Sequence, residues 1–467
     1  MAGRAGLSFL QVAILARLLG PADFGLMALV AAVISFAQIF TDVGVSSAII
    51  HHQRVSHEEL SSLYWLNVAV GAGMLLLLII FSPLIAGVYD APALQPLLTV
   101  VGFFFLVISL GQQLRVVAEK ELRFAELARV ELTASTVGFL VAVAWALIRP
   151  SVAALIAGMM ASAVTLTALS WGTLAKGWRP MARLRLSEIR KFLNYGGYTM
   201  ANNLVSTLSA QADIFIGGRF LSAPALGVYS LPRDLSLRVA GVINPIVTRV
   251  GLPVMAKAQH NQVFLRSVYL KTLRMTSSVN FPIYMAIAAF APEVVALLFG
   301  RQWDEAVGLL RVLALWALFR SVVNPVGSLI FAVGRADLGF KWNLALGLVV
   351  LPLLWLGGRY GNFGLAIAQL FISIIVVGPA WYILVRPLCA AGFAEYFKQL
   401  LIPLITASLA VVAGYGAASW LTHLFARLST GLVIGGLSYF FLSKWLNRPW
   451  FEAMGELLLK RQHVSKI

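Results

Sequence analysis

Five arginines in apolar surroundings are the side chains of this sequence best suited to hold a ligand: Arg17, Arg219, Arg233, Arg238 and Arg249. A guanidinium is planar, stays charged and presents paired donors, which fits it to phosphate and other oxyanions. Arg233, Arg238 and Arg249 share one long apolar run, 223–255, punctuated by Pro232, Pro245 and Pro253. At 100° per residue Arg233 and Arg238 differ by about 140°, while Arg238 and Arg249 differ by only about 20°. A cationic face shared by Arg238 and Arg249 in an apolar helix points inward. It either lines a cavity or is paired internally, chiefly with Asp234 or Asp213. Arg17 and Arg219 each end an apolar helix. There a cation meets the negative end of the helix dipole or snorkels to lipid headgroups; the other reading is contact with an anionic substrate. Arg115, Arg311 and Arg320 are weaker candidates.

The acids within apolar stretches are fewer: Asp42, Glu131, Asp213 and Glu293. Asp213 sits in the run Ala212-Asp-Ile-Phe-Ile216. An ionisable group at such depth is a default candidate for proton or cation coupling; the plainer reading is an ion pair with an arginine. Asn202, Asn203 and Gln211 nearby and Asn343 elsewhere offer neutral oxygens of the kind hard cations prefer. Asp213 and Asn343 are thus the ion-coupling candidates. His51, His52 and His57 lack cysteine partners and helical i, i+4 spacing, and Cys389 is the single cysteine, so no metal or cofactor site is expected.

These side chains must be positioned by membrane helices. Of 467 residues, 60% are hydrophobic and 12% charged, with a mean hydropathy of +0.86. A soluble domain carries about 25% charged residues. Lipid gives the backbone no partner, so only helices or a closed barrel can span it. The runs are long and continuous, without the alternation of barrel strands. At about 20 residues per span, the chain is expected to be an all-α polytopic membrane protein of about 14 transmembrane helices. The net charge of +17 is parcelled into short loops, and no nucleic-acid-binding motif accompanies it. Loops after even-numbered spans hold most of the lysine and arginine, including Lys176–Lys191. The positive-inside rule then predicts that both termini are cytoplasmic. No removable signal peptide is expected, because the first apolar run has no small-residue cleavage site.

The chain also repeats. Ile14-Leu-Ala-Arg-Leu-Leu-Gly-Pro-Ala-Asp-Phe-Gly-Leu26, moved by 202 positions, falls on Ile216-Gly-Gly-Arg-Phe-Leu-Ser-Ala-Pro-Ala-Leu-Gly-Val228. Arg17 meets Arg219 and Gly25 meets Gly227. Later matches drift by about ten: Leu97-Leu98 on Leu309-Leu310, and Ala154-Leu-Ile-Ala157 on Leu365-Ala-Ile-Ala368. Six spans per half is an even number, so the halves enter the membrane in the same direction, related by a pseudo-twofold axis along its normal. The expected division is an N-terminal six-helix lobe at 1–176, a basic cytoplasmic linker at 177–192, a C-terminal six-helix lobe at 193–388, and two additional helices with a basic tail at 389–467.

Three motifs carry a family resemblance: Leu15-Ala-Arg-Leu-Leu-Gly-Pro-Ala-Asp-Phe-Gly25, Asp42-Val-Gly-Val-Ser-Ser-Ala48 and Leu298-Phe-Gly-Arg-Gln-Trp303. Over nearly its whole length the chain resembles the polysaccharide biosynthesis (Wzx-type) flippases of the multidrug/oligosaccharidyl-lipid/polysaccharide exporter superfamily. It departs from them in having only 16 residues before Arg17. The resemblance implies two lobes around a central cavity. It also implies transport of undecaprenyl-diphosphate-linked oligosaccharide across the bacterial inner membrane by alternating access, for O-antigen, capsule or exopolysaccharide. Lipid-linked oligosaccharide and membrane lipid are the implied partners, with polysaccharide polymerase and chain-length machinery as possible associates. The alternatives are a drug/cation antiporter of the same superfamily, which calls for an acid-rich cavity, and a non-transporting component of an assembly complex. No enzyme is expected: the chain lacks the G-x-x-x-x-G-K-[ST] loop, a G-x-S-x-G elbow and any extended soluble segment. Trp303, Trp381 and Trp450 read as membrane-interface anchors.

Overall fold

The computed structural model describes residues 2–42, 49, 55–182 and 185–454; within these, the side chains of 2–5, 42, 186–202, 243 and 245–250 lie outside the description. The helices are α1 Ala2–Leu18, α2 Pro21–Asp42, α3 His57–Val88, α4 Leu94–Lys120, α5 Phe124–Ile148, α6 Val152–Leu174, α7 Leu186–Phe220, α8 Ala223–Ala258, α9 Gln262–Ala289 and α10 Ala291–Leu298. They continue with α11 Ala306–Ala332, α12 Ala336–Gly358, α13 Gly361–Cys389, α14 Phe393–Ala418 and α15 Leu424–Leu446. Among the described residues ten helices are long and apolar enough to cross a membrane, or eleven if α9 and α10 count as one span. Large apolar side chains stay exposed on them, among them Leu84, Leu140, Ile148, Leu348 and Phe441, as lipid-facing surface requires.

The chain forms two compact units, Met1–Ser230 and Leu231–Ile467. In the first, α3 packs on α4, α5 on α6, α1 on α5 and α2 on α7. Leu15 of α1 and Leu19, just past its end, pack with Ala142 and Ala146 of α5 and Ala154 of α6. Small residues let backbones approach, as membrane packing favours. Among the described glycines the tightest approach is between the two repeated corners. A Cβ at Gly25 would overlap the carbonyl of Ala223 and lie 3.0 Å from Gly227 N; a Cβ at Gly227 would overlap the carbonyl of Pro21 and lie 3.0 Å from Gly25 N. Pro21 and Ala223, like Gly25 and Gly227, are 202 positions apart. Each corner thus meets the other through equivalent residues, as across a local twofold axis. Asp23 acts where an acid favours a helix start: its carboxylate accepts the Gly20 N–H at 3.1 Å.

In the second unit α14 packs on α15 and α9, and α11 packs on α9 and α13. The apolar run 265–299 does not continue as one helix: α9 and α10 are bent by 79°, with Pro292 in the first turn of α10. The bend is held by α15. Glu293, 1% exposed, pairs with Arg427 Nη2 at 3.2 Å, and the Phe290 ring fills the space at Gly431. Trp303 is not an interface anchor. It is 0% exposed, edge-on to Phe299, because the Gly300 turn (φ 96°) folds it back under α10. Among the described residues the most exposed tryptophans are Trp420 and Trp445, at 89% and 86%.

The repeat also survives in backbone conformation. The widened π-type turn Ser170–Leu174 at the end of α6 recurs 211 positions on, at Trp381–Val385 in α13. The offset matches the drift seen between Ala154 and Leu365, both fully buried.

Substituting Gly25→Ala or Gly227→Ala should destabilise the protein by about 1–3 kcal/mol through overpacking. Gly436→Ala, with nothing within 4 Å of its added methyl, should not. Thermal unfolding in detergent measures all three.

Candidate functional site

The hairpin of α7 and α8 carries most of the candidate side chains. α7 ends where Leu221 N–H returns to the Gly217 carbonyl at 2.8 Å, and Leu221-Ser222 is all that separates it from α8. The short turn leaves Asp213 of α7 within hydrogen-bond reach of Tyr229 of α8. Tyr229 of α8 therefore donates its hydroxyl to Asp213 Oδ2 at 2.8 Å, and the Ile214 N–H reaches Oδ1 at 3.0 Å. Both Asp213 and Tyr229 are 0% exposed. A buried carboxyl group is costly unless hydrogen-bonded, and the phenol supplies a side-chain donor without adding charge. Two residues earlier on α7, Gln211 donates from Nε2 to Ser35 Oγ of α2 at 3.3 Å.

One turn beyond Tyr229 along α8 comes Arg233, 4% exposed. Its Nη1 meets Asp234 Oδ1 at 3.2 Å, and the Asp234 side chain is half exposed. Arg238 follows, half-buried. Two bonds from α9 fix the helix on either side of it: Tyr284 donates its hydroxyl to the Ser236 carbonyl at 3.0 Å, and Asn280 Nδ2 donates to Asn244 Oδ1 at 3.2 Å. The backbone is helical through 223–258, so the shared face of positions 238 and 249 is preserved; the side chain of Arg249 lies outside the described ones. What the stretch can do chemically is present guanidinium on rigid backbone to an anion.

The remaining candidates separate. Arg17 is exposed in the last turn of α1. Arg219 is exposed and pairs with Asp90 at 3.2 Å. Asn343 is half-buried on α12. Arg320 stacks over Trp316, 5.3 Å from the ring centroid, and Arg311 is exposed. His57 is exposed, its ring 5.8 Å from Trp178; among the described residues no group of three metal-ligating side chains assembles. His51, His52, the motif 43–48, Arg54, Arg183 and the tail cations Lys460, Arg461 and Lys466 lie outside the described residues. Sequence reasoning missed Tyr229 and Arg427. A phenol in an apolar run carries no signal of its own. Arg427 carries none either, because Arg301 and Arg359 are equally available in the sequence as partners for Glu293.

The chain is similar to known proteins along most of its length. Residues 14–308 match a family model described as polysaccharide biosynthesis protein. The chain is 30% identical over 411 residues to the Lipopolysaccharide biosynthesis protein WzxC of Escherichia coli (strain K12), covering 88% of this chain and 84% of that one. It is 30% identical over 434 residues to the Teichuronic acid biosynthesis protein TuaB of Bacillus subtilis (strain 168), covering 91% and 88%. Its fold is similar to that of the Lipid II flippase MurJ in an inward closed conformation, with a TM-score of 0.78 at 14% identity over 95% of this chain and 97% of that one.

Tyr229→Phe removes the phenol from a buried carboxyl group and should cost about 1–3 kcal/mol. Arg219→Ala, breaking an exposed pair, should cost less than about 1 kcal/mol. Chemical denaturation of the two variants side by side measures the contrast.

Proposed function

The chain belongs to the polysaccharide biosynthesis protein family, and from that membership we propose that it is a transporter that moves a lipid-linked oligosaccharide across the bacterial inner membrane. The observation that carries the substrate class is cationic: Arg233, buried to 4% exposure, and half-buried Arg238 stand on one helix of an apolar, multi-pass chain. An arginine in a membrane helix is expensive and is retained where its charge is used. A diphosphate linking sugar to a polyprenyl carrier is the anion such groups would meet. Their planar forks bind phosphate bidentately.

The proposed cycle is alternating access. The head group, sugars and diphosphate, passes through the protein while the polyprenyl chain stays in lipid. Arg238 and Arg249 contact the diphosphate; Arg17, Arg219 and Arg233 act along the same path. Asp213 and Asn343 are the proposed ion-coupling residues, with the Asp213 carboxyl protonating or binding a cation to reset the carrier. Without coupling, transport would only equilibrate the two leaflets. The proposed topology has fourteen spans, six in each repeat and two beyond them, with both termini cytoplasmic. Nothing in this scheme calls for bond-making by the protein.

Arg238→Ala and Arg249→Ala should each lower translocation of the lipid-linked oligosaccharide at least about tenfold, the size expected for losing a charge-assisted contact of about 1.5–3 kcal/mol. A leaflet-resolved assay on reconstituted protein measures the rate, and protein level controls for folding. Full rates in both variants would remove these arginines from the substrate path.

A further inference from the structure

A separate polar group lies where α9, α14 and α15 pack together. Arg274, half-buried on α9, donates from Nε to Asn447 Oδ1 at 2.6 Å and from Nη1 to Gln399 Oε1 at 3.3 Å. Asn447 is the residue that ends α15. It is wholly buried, and its Nδ2 donates to Ser278 Oγ, one turn beyond Arg274, at 2.7 Å. Tyr439 of α15 adds a bond to the Ser278 carbonyl at 2.6 Å. Gln399 stands in the second turn of α14. The guanidinium is therefore held in one direction by two neutral amide oxygens.

Among the described residues no carboxylate pairs with Arg274. The two nearest acids along these helices are engaged elsewhere: Glu395 with Arg266 at 3.7 Å and Glu452 with Arg448 at 2.7 Å. Neutral acceptors orient a cation without neutralising it, so the positive charge remains for a further anion, and among the described residues no acceptor takes Nη2. Other cations gather round it. Lys271 precedes Arg274 by one turn and Lys444 precedes Asn447 by one turn, and both are exposed; residues three apart share a helix face. Trp445, beside Lys444, is 86% exposed, as an aromatic at the membrane–water boundary is. From that level Val433, Leu437, Phe440 and Phe441 run back along α15 as exposed apolar surface.

We propose that Arg274, with Lys271 and Lys444 at its rim, binds the phosphate of an anionic membrane lipid whose acyl or prenyl chain lies along the apolar face of α15. A charge-assisted hydrogen bond from Nη2 suits a phosphate oxygen, and exposed lysines near it attract anionic lipid. The site stands apart from the arginines of α8 and does not depend on the transport reading. Two lipids share this chemistry, an anionic phospholipid and a polyprenyl phosphate. A helix-capping role for Arg274 alone would need no ligand and no lysines.

The test is native mass spectrometry of the full-length chain in detergent, titrated in turn with phosphatidylglycerol, phosphatidylcholine and undecaprenyl phosphate. Lipid adducts should favour phosphatidylglycerol or undecaprenyl phosphate over zwitterionic phosphatidylcholine, and the preferred one of the two names the source. Arg274→Gln should lower that adduct about fivefold, as should each of Lys271→Gln and Lys444→Gln, the scale of one basic residue at an anionic surface. The lysines are exposed, so their variants carry the test even where Arg274→Gln fails to fold. Equal binding of phosphatidylcholine by the unmodified chain, or adducts unchanged in the lysine variants, would overturn the proposal.

Discussion

Hydrocarbon offers a polar group nothing to bond to, and each level of this structure answers that constraint. At the level of backbone the answer is the helix, which closes its own hydrogen bonds. At the level of side chains it is local return: Ser35, Thr136, Ser170, Thr276 and Thr406 each donate to the carbonyl four residues back. Where a side chain is ionisable the answer must be longer in reach, and there the constraint shapes tertiary structure. Asp213 takes a phenol from the next helix, and Glu293 takes a guanidinium from α15. Such groups are expensive to bury and strongly destabilising to break, so they fix which helices adjoin which.

Much of this was legible in the chain. Long apolar runs can only be membrane helices, and the helix ends fall close to the loop residues that interrupt those runs. The corner repeat was legible because glycine and arginine recur at fixed spacing. What the sequence concealed has a common cause: it depends on direction. Hydropathy reports that residues 265–299 are apolar but not that the run bends, although Pro292 sits at the break. It reports Trp303 near a span end but not that the chain turns there at Gly300 and buries the ring. Helical periodicity placed Arg238 and Arg249 on one face, yet it cannot rank Arg233 as the buried member of the series. That follows only from the packing around α8.

The repeat is uneven in what it keeps. The close backbone approach at the corners and the π-type turns at 170–174 and 381–385 recur, and so does the arginine of the corner, Arg17 and Arg219, while Asp213 of α7 and Arg233 of α8 do not. Asp213 has the neutral Gln11 as its counterpart at the corner offset, and the position equivalent to Arg233 is Ala31. These backbone features are shared by the two copies; the charges of Asp213 and Arg233 belong to the second alone. A transporter with equal halves would present equal surfaces to an unequal substrate, and this chain has specialised one copy.

The meeting of Gly25 with Ala223 and of Gly227 with Pro21 is the kind of contact two identical molecules make in a homodimer. Found inside one polypeptide, it ties two stretches 202 positions apart into one seam. Divergence is free wherever a residue faces lipid or ligand on its own side alone. It is not free here, because a side chain acquired by either copy must be accommodated by the backbone of the other. The two glycines are thus bound to a common fate, and the seam should be the slowest part of the chain to change.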